Sequence, residues 1–171
     1  QGPQLPFGKW TCYRYGQNSA FIARYPAKIK PKTTSDAIVQ YEDILPTMMD
    51  FAGAKPLKDL DGRSFLNVLY GKEKSHRKWS YGIHNNIPEG TAYPIRSIQD
   101  KRYKLIVNLL PDSGYFEKHL MDLKNRNQVW ASWVESAAKD SHANSITNRY
   151  VNRPAVELYD LLTDPWELNN L

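Results

Sequence analysis

Tyr93-Pro94-Ile95-Arg96-Ser97-Ile98-Gln99, Asp100-Lys101-Arg102 and Tyr103-Lys104-Leu105-Ile106-Val107-Asn108-Leu109-Leu110 read as two strands joined by a short polar connection. β-Branched and aromatic residues recur through both runs, and the intervening three residues supply only charge, which predicts a hairpin. Upstream, Trp79 to His84 reads as another strand. Downstream, Val156-Glu157-Leu158-Tyr159-Asp160-Leu161 reads as the last one, with Asp164-Pro165 opening a turn. Tyr103, Leu105 and Tyr159 sit at the alternating positions that sheet residues occupy. Between these strands, about Tyr115 to Ala138 reads as helix, with Leu120, Leu123, Trp130, Trp133 and Val134 as core candidates. Residues 78–171 are thus expected to form a small antiparallel sheet with one substantial helix, an α+β arrangement.

Residues 1–75 read differently. A loop rich in Pro and Gly leads into an apolar strand, Phe21 to Tyr25, which Pro26 ends. Lys28-Ile29-Lys30-Pro31-Lys32 is a solvated basic loop, and Asp36-Ala37-Ile38-Val39 is a candidate second strand. Asp43 can cap a helix whose Pro46 falls in the first turn, where a missing N–H costs nothing. Leu45, Met48, Met49 and Ala52 follow at helical spacing, the methionines as core filler, and Gly53 stops the helix. Ser64 can cap a shorter helix through Leu66 and Leu69. The charged stretch Lys72-Glu73-Lys74-Ser75-His76-Arg77-Lys78 is the boundary candidate, with His76 solvated in it.

A chain of 171 residues can bury roughly two-thirds of its unfolded surface, enough for one core or two small ones. Hydrophobic content of 41% and charged content of 24% exclude disorder as a description of the whole chain. A net charge of +5 and a pI near 9.2 favour anionic partners. The basic residues are spread along the chain and fit no recognition module, which argues against nucleic acid. There is no apolar run of about 18 residues, so no membrane-spanning helix is expected. The lone Cys12 excludes an internal disulfide and a cysteine-based zinc site.

The residues that can carry chemistry begin with Lys9, in Gln1-Gly2-Pro3-Gln4-Leu5-Pro6-Phe7-Gly8-Lys9-Trp10, which runs into Thr11, Tyr13 and Gly16. An ammonium held against an anionic group makes charge-assisted hydrogen bonds that strengthen as charge develops in a transition state, while on spacing alone an exposed loop lysine is the alternative. A second group is the polar loop His84-Asn85-Asn86-Ile87-Pro88-Glu89-Gly90, whose imidazole, amides and carboxylate suit hydroxyl or amino recognition. A plain surface turn is the alternative for that loop. His119 and His142 have no partner motif, and Arg96 is read as facing either an anionic ligand or a buried carboxylate, the buried pair being favoured. Asp61 and Arg63 tie a turn, while Glu157, Asp160 and Asp164 are read as backbone caps.

Taken in order, Gly8-Lys9-Trp10-Thr11-x-Tyr13, Asp43-x-x-Pro46-Thr47, Ala52-Gly53, Asp61-Gly62-Arg63-Ser64, Arg102-Tyr103-Lys104-Leu105-Ile106 and Glu157-Leu158-Tyr159-Asp160-x-x-x-Asp164-Pro165-x-Glu167-x-x-Asn170-Leu171 resemble the C-terminal part of a sulfatase. Tyr93-Pro94-x-Arg96-Ser97 with Asn108-Leu109 is most similar to the heparan N-sulfatases, or sulfamidases. The resemblance implies that residues 1–75 are the C-terminal edge of an alkaline-phosphatase-like α/β domain. Residues 78–171 would be its small antiparallel C-terminal subdomain.

The resemblance also implies hydrolysis of sulfate ester or N-sulfate groups on sulfated sugars such as glycosaminoglycan. It implies a formylglycine nucleophile and a Ca²⁺ ion, with Lys9 as the catalytic cation. Cys12 lacks the Cys-x-Pro-Ser-Arg surroundings of a formylglycine site, so the nucleophile and most metal ligands are expected upstream, in a missing N-terminal part. Gln1 matches one member of the metal-binding pair, and its amide oxygen suits calcium. His84, Asn85 and Glu89 fall on the loop that in sulfamidase-like proteins touches the sugar. The isolated chain is expected to be inactive, and the compartment implied is periplasmic, secreted or lysosomal. Two alternatives stay open: a phosphate or phosphonate ester hydrolase of the same superfamily, and a non-catalytic module that binds sulfated glycans.

Overall fold

The structure is a computed structural model and describes residues 5–55, 57–122, 124 and 128–171. Gln1, the candidate metal ligand, and Leu123, a candidate core residue, lie outside the described residues. The chain forms two compact units, one of residues 1–19 with 81–171 and one of residues 20–80. Residues 1–19, grouped with the first block from sequence, thus pack with the C-terminal strands.

The larger unit is built on a four-stranded sheet in the order β1-β2-β3-β4: Ser80–His84, Ile95–Gln99, Tyr103–Asn108 and Val156–Asp160. The hairpin forms where it was expected, with Gln99 opposite Lys104 and Ile95 opposite Asn108 in an antiparallel pair. Val156 to Asp160 then pairs antiparallel with β3, placing Glu157 opposite Ile106 and Tyr159 opposite Lys104. The period-2 alternation holds, but the buried face of β3 carries Lys104, Ile106 and Asn108 while Tyr103 is exposed. Two polar residues can lie inward because each meets a buried glutamate, as described below.

The long helix expected over Tyr115 to Ala138 is broken into pieces. A 3₁₀ turn at Pro111–Ser113 and Gly114 at φ +66° precede α4, Lys118–Met121, and α5 then spans Gln128–Ala137. (The short helices α1, Arg14–Gln17, α2, Ile44–Phe51, and α3, Leu66–Leu69, come earlier in the chain.) A further helix, α6, Ser141–Val151, was not expected. Its amino end is set by Asp140, whose carboxylate accepts the Ala143 N–H at 2.6 Å. Tyr150 is its one fully buried residue, and Ala143, Ile146 and Val151 share its less exposed face at helical spacing.

The core of this unit is a tyrosine cluster. Tyr13, Tyr93, Tyr115, Tyr150 and Tyr159 are buried with Cys12, Ile95, Ile106, Leu120 and Trp130. The rings meet edge to face, Tyr93 with Tyr115 at 5.5 Å and Tyr115 with Tyr150 at 5.3 Å between centroids. Arg153 is buried among them, its guanidinium 3.8 Å from the Tyr115 centroid and 5.0 Å from that of Tyr150.

In the unit of residues 20–80, the strand expected at Phe21–Tyr25 does not form. Ile22 is 91% exposed, and the rings of Phe21 and Tyr25 rest on Phe65 and Phe51. Asp36 to Val39 contributes only an isolated bridge, Ile38 with Arg77. An unpaired extended run has no ladder to hold it. The helix with Pro46 in its first turn is α2; Phe65 holds the cap position of α3, and Ser64, just before it, accepts the Leu66 N–H at 3.2 Å. The buried residue of α2 is Thr47, whereas Met48, read as core filler, is exposed, as is Leu45. Thr47 is drawn inward because its hydroxyl accepts the Phe65 N–H and donates to the Asp43 carbonyl. Asp43 itself is completely buried and makes no side-chain cap for α2; it accepts from the Arg77 guanidinium and from the backbone N–H groups of Gln40 and Arg63 instead.

Candidate functional site

The turn carrying Lys9 is shaped by its neighbours. The Thr11 hydroxyl donates to the Gly8 carbonyl at 2.6 Å, and the Tyr13 carbonyl accepts N–H bonds from Gly16 and Gln17. A side chain at position 16 is impossible here, because its Cβ would lie 2.4 Å from the Thr11 carbonyl oxygen. Phe7 and Trp10 both adopt left-handed backbone, at φ +60° and +66°, which is costly for bulky residues. Packing holds them there. The Phe7 ring meets Tyr13 at 4.9 Å and Tyr150 at 5.0 Å, and the Trp10 carbonyl accepts the Tyr115 hydroxyl at 3.0 Å.

The result is a fixed cation. Lys9 Nζ stands 4.1 Å from the centroid of the Trp10 ring, and that indole stacks on His119 at 5.1 Å with 20° between planes. Sequence reasoning gave neither Trp10 nor His119 a role. The stacking partner lies on α4, far away in sequence, so no local pattern announces it.

The polar loop leaves the end of β1. Asn86 is its buried anchor, at φ +59°, donating from Nδ2 to the carbonyls of Thr91 and Phe116 at 2.8 and 2.6 Å. Gly90 must be glycine, since a Cβ would fall 1.9 Å from the Phe116 carbonyl oxygen. Asn85 is exposed, and its Oδ1 accepts from Arg96 at 3.0 Å. Arg96 therefore pairs with an amide in place of the buried carboxylate expected for it. His84 is half-buried, and burial pushes its imidazole below the ordinary histidine range despite Asn86 and Glu89 nearby. Its Nε2 is buried with no hydrogen-bond partner among the described residues.

Consecutive residues of α4 touch both segments. Lys118 donates its backbone N–H to the Glu89 carbonyl at 2.9 Å and its ammonium to the Pro88 carbonyl at 2.8 Å. His119, next along, holds Trp10 and with it Lys9. The helix start is set by buried Glu117, whose carboxylate accepts the N–H groups of His119 and Leu120 at 2.7 and 2.8 Å. Lys9, His84, Asn85 and Glu89, picked separately from sequence, thus belong to the same unit and are tied through one short helix.

Other groups divide between structure and surface. Cys12 is buried and burial pushes its thiol up, which suits an inert packing role. Glu157, read as a backbone cap, instead accepts the hydroxyls of Tyr13 and Tyr159 and the Asn108 amide. Asp160 and Asp164 do cap backbone, at Leu162 and Asn169. His76, read as solvated, packs 3.1 Å from the buried Asp43 carboxylate. Among the described residues no group of three or more His, Cys, Asp or Glu is placed to hold a metal ion. No helix among them is long and apolar enough to cross a membrane.

Comparison with known proteins gives a consistent class. Residues 5–151 match the family described as N-sulphoglucosamine sulphohydrolase, C-terminal. An ulvan-active sulfatase of Formosa agariphila is 39% identical over 96% of this chain and 30% of its own length. The N-sulphoglucosamine sulphohydrolase of Homo sapiens is 26% identical over 99% of this chain and 35% of its own. Among solved structures, BT4656 in complex with its substrate D-glucosamine-2-N,6-O-disulfate superposes with a TM-score of 0.55. It is 26% identical over 86% of this chain and 22% of that one. These relatives define the class as sulfatase. The chain belongs to the N-sulphoglucosamine sulphohydrolase C-terminal family, and it spans about a third of the length of the curated relatives named here.

Proposed function

We propose that this chain is the C-terminal portion of a sulfatase that hydrolyses sulfate ester or N-sulfate groups on sulfated sugars. The observation that carries the reading is the joining of the Lys9 turn and the His84–Gly90 loop by Lys118 and His119. In hydrolysis, the oxygen of water ends on sulfur and the sugar oxygen or nitrogen leaves with a proton. Lys9 lies against the sulfate oxygens and lowers the barrier by charge-assisted hydrogen bonding as the S–O or S–N bond breaks. Trp10 and His119 hold that ammonium in place, so little reorganisation is needed when charge develops. His84, Asn85 and Glu89 read the sugar's hydroxyl or amino groups.

The formylglycine nucleophile and the calcium ligands of this reading belong to a part of the protein outside these residues, with Gln1 as the contribution from this chain. Calcium, where bound, supplies positive charge to the sulfate oxygens. The compartment that fits such a substrate is periplasmic, secreted or lysosomal.

The test is made in the enzyme that unites this chain with its formylglycine-bearing part, using N- and O-sulfated glucosamine. Lys9→Ala is expected to lower kcat by about 10²–10³-fold. His84→Ala and Glu89→Ala are expected to raise KM by about tenfold or more. Unchanged turnover in all three variants would remove the reading, and clear turnover by this chain alone would remove the division of labour.

A further inference from the structure

Two carboxylates near the end of the chain grip the two residues that follow the Lys9 turn. Glu157 Oε2 accepts the Tyr13 hydroxyl at 2.7 Å, across 144 residues of sequence. Glu167 Oε2 accepts the Arg14 backbone N–H at 2.7 Å, across 153 residues. Both glutamates are buried, at 0% and 2% exposure, where an unpaired carboxylate is costly. Each has a second partner: Asn108 Nδ2 donates to Glu157 at 2.8 Å, and Lys104 Nζ lies 2.8 Å from Glu167. Glu167 is itself held in left-handed backbone, at φ +57°, while Arg149 Nη1 bonds its carbonyl.

These contacts explain why inward-facing β3 carries Lys104 and Asn108. The two residues present fixed donors to the two glutamates, and the glutamates pass that rigidity to Tyr13 and Arg14. Tyr13 in turn packs on Phe7, on the far side of Lys9. The lysine turn is therefore gripped on both flanks by groups seated on the sheet and the terminal segment.

We propose that Glu157 and Glu167 are positioning residues that set the location of the Lys9 ammonium. The inference rests on the catalytic role proposed for Lys9. Neither glutamate touches the substrate; each acts through the backbone and ring that follow the turn. A shift of about 1 Å in a catalytic group can cost about 10²-fold in rate, so loss of one grip should appear in kcat.

The experiment is a set of double-mutant cycles in the complete enzyme, with sulfated glucosamine as substrate. Tyr13→Phe removes only the hydroxyl bond to Glu157 and keeps the ring packing; Glu167→Gln weakens the second grip. Each is expected to lower kcat by about tenfold while KM moves by less than about twofold. In a Lys9→Ala background the same changes are expected to cost less than about twofold, because the group they position is gone. Thermal unfolding confirms that each variant is folded at the assay temperature, and Glu157→Gln repeats the first test should Tyr13→Phe fail to fold. Equal losses with and without Lys9, or no loss in either variant, would overturn the inference. Near-normal turnover by Lys9→Ala alone would instead remove the role of Lys9, and the positioning role with it.

Discussion

Asp43 shows how much one side chain can organise. It accepts the N–H groups of Gln40 and Arg63 at 3.0 Å each, takes the Arg77 guanidinium at 2.7 Å, and lies 3.1 Å from His76. Burial alone would raise its pKa, but the Arg77 bond and the two backbone donors outweigh that and hold it at about 2. The unfolded carboxyl titrates near 3.8, so the unfolded chain takes the proton first. This stabilisation is complete above pH 4 and fades as pH falls toward 2, by roughly 2 kcal/mol in all. Asp43→Asn is expected to destabilise by roughly 3 kcal/mol at neutral pH, since it leaves Arg77 poorly compensated, and to flatten the acid limb. Urea unfolding across pH 2–6 measures both; an unchanged acid limb would refute the assignment. From sequence, Asp43 looked like a helix cap because capping is local. It does take the local Gln40 N–H, but its partners Arg63 and Arg77 lie 20 and 34 residues away, and no spacing rule reaches that far.

Among the elements, α4 has the most consequence for its size. Four residues long, it holds Pro88 and Glu89 on one side and Trp10 on the other. Its start depends on Glu117, whose two oxygens are the side-chain acceptors for the first free N–H groups. Glu117→Ala is expected to cost about 2 kcal/mol of stability and to free Trp10 from its stack on His119. Indole fluorescence and urea unfolding would record the two effects, and a variant as stable as the parent would contradict them. The strands were readable because β-branched and aromatic residues mark them, and the short polar connection marked the hairpin. Helix α6 went unread although Ala143, Ile146, Tyr150 and Val151 share one face, because polar residues outnumber them along its length. Lys104 and Asn108 also ran against the usual pattern, as they go inward only to meet Glu167 and Glu157.

Across the molecule the two units differ in how they are held. The tyrosine core lies wholly within residues 1–19 and 81–171. In residues 20–80 the buried hydrophobic residues among those described are Phe65, Leu66 and Val68, while Phe21, Ile22, Leu45, Met48, Phe51 and Leu57 are exposed. So much apolar surface on a small unit is suited to contact with a further surface. The isolated chain is expected to bind a hydrophobic dye and to self-associate, and to lose both traits when joined to the rest of a sulfatase. A dye-silent monomer with one sharp unfolding transition would argue against it. The candidate site was legible as separate pieces, Lys9 and the His84 loop. Their connection was not, since it runs through His119 and Lys118, which carry no motif. The grouping of residues 1–19 with the sheet was hidden for the same reason.

The grip of Glu167 on Arg14 also has a bearing on how the chain is made. A ribosome adding about 5–20 residues per second releases the segment carrying Lys9 many seconds before residue 167 exists. Through that interval Tyr13 and Arg14 have no carboxylate to meet, and the buried face of β3 has no counter-charge for Lys104. Contacts of such sequence separation are also the slowest to close. The lysine turn is thus made well before the carboxylates that secure it, so any stop codon ahead of Glu157 would yield a protein that carries Lys9 but never fastens its turn.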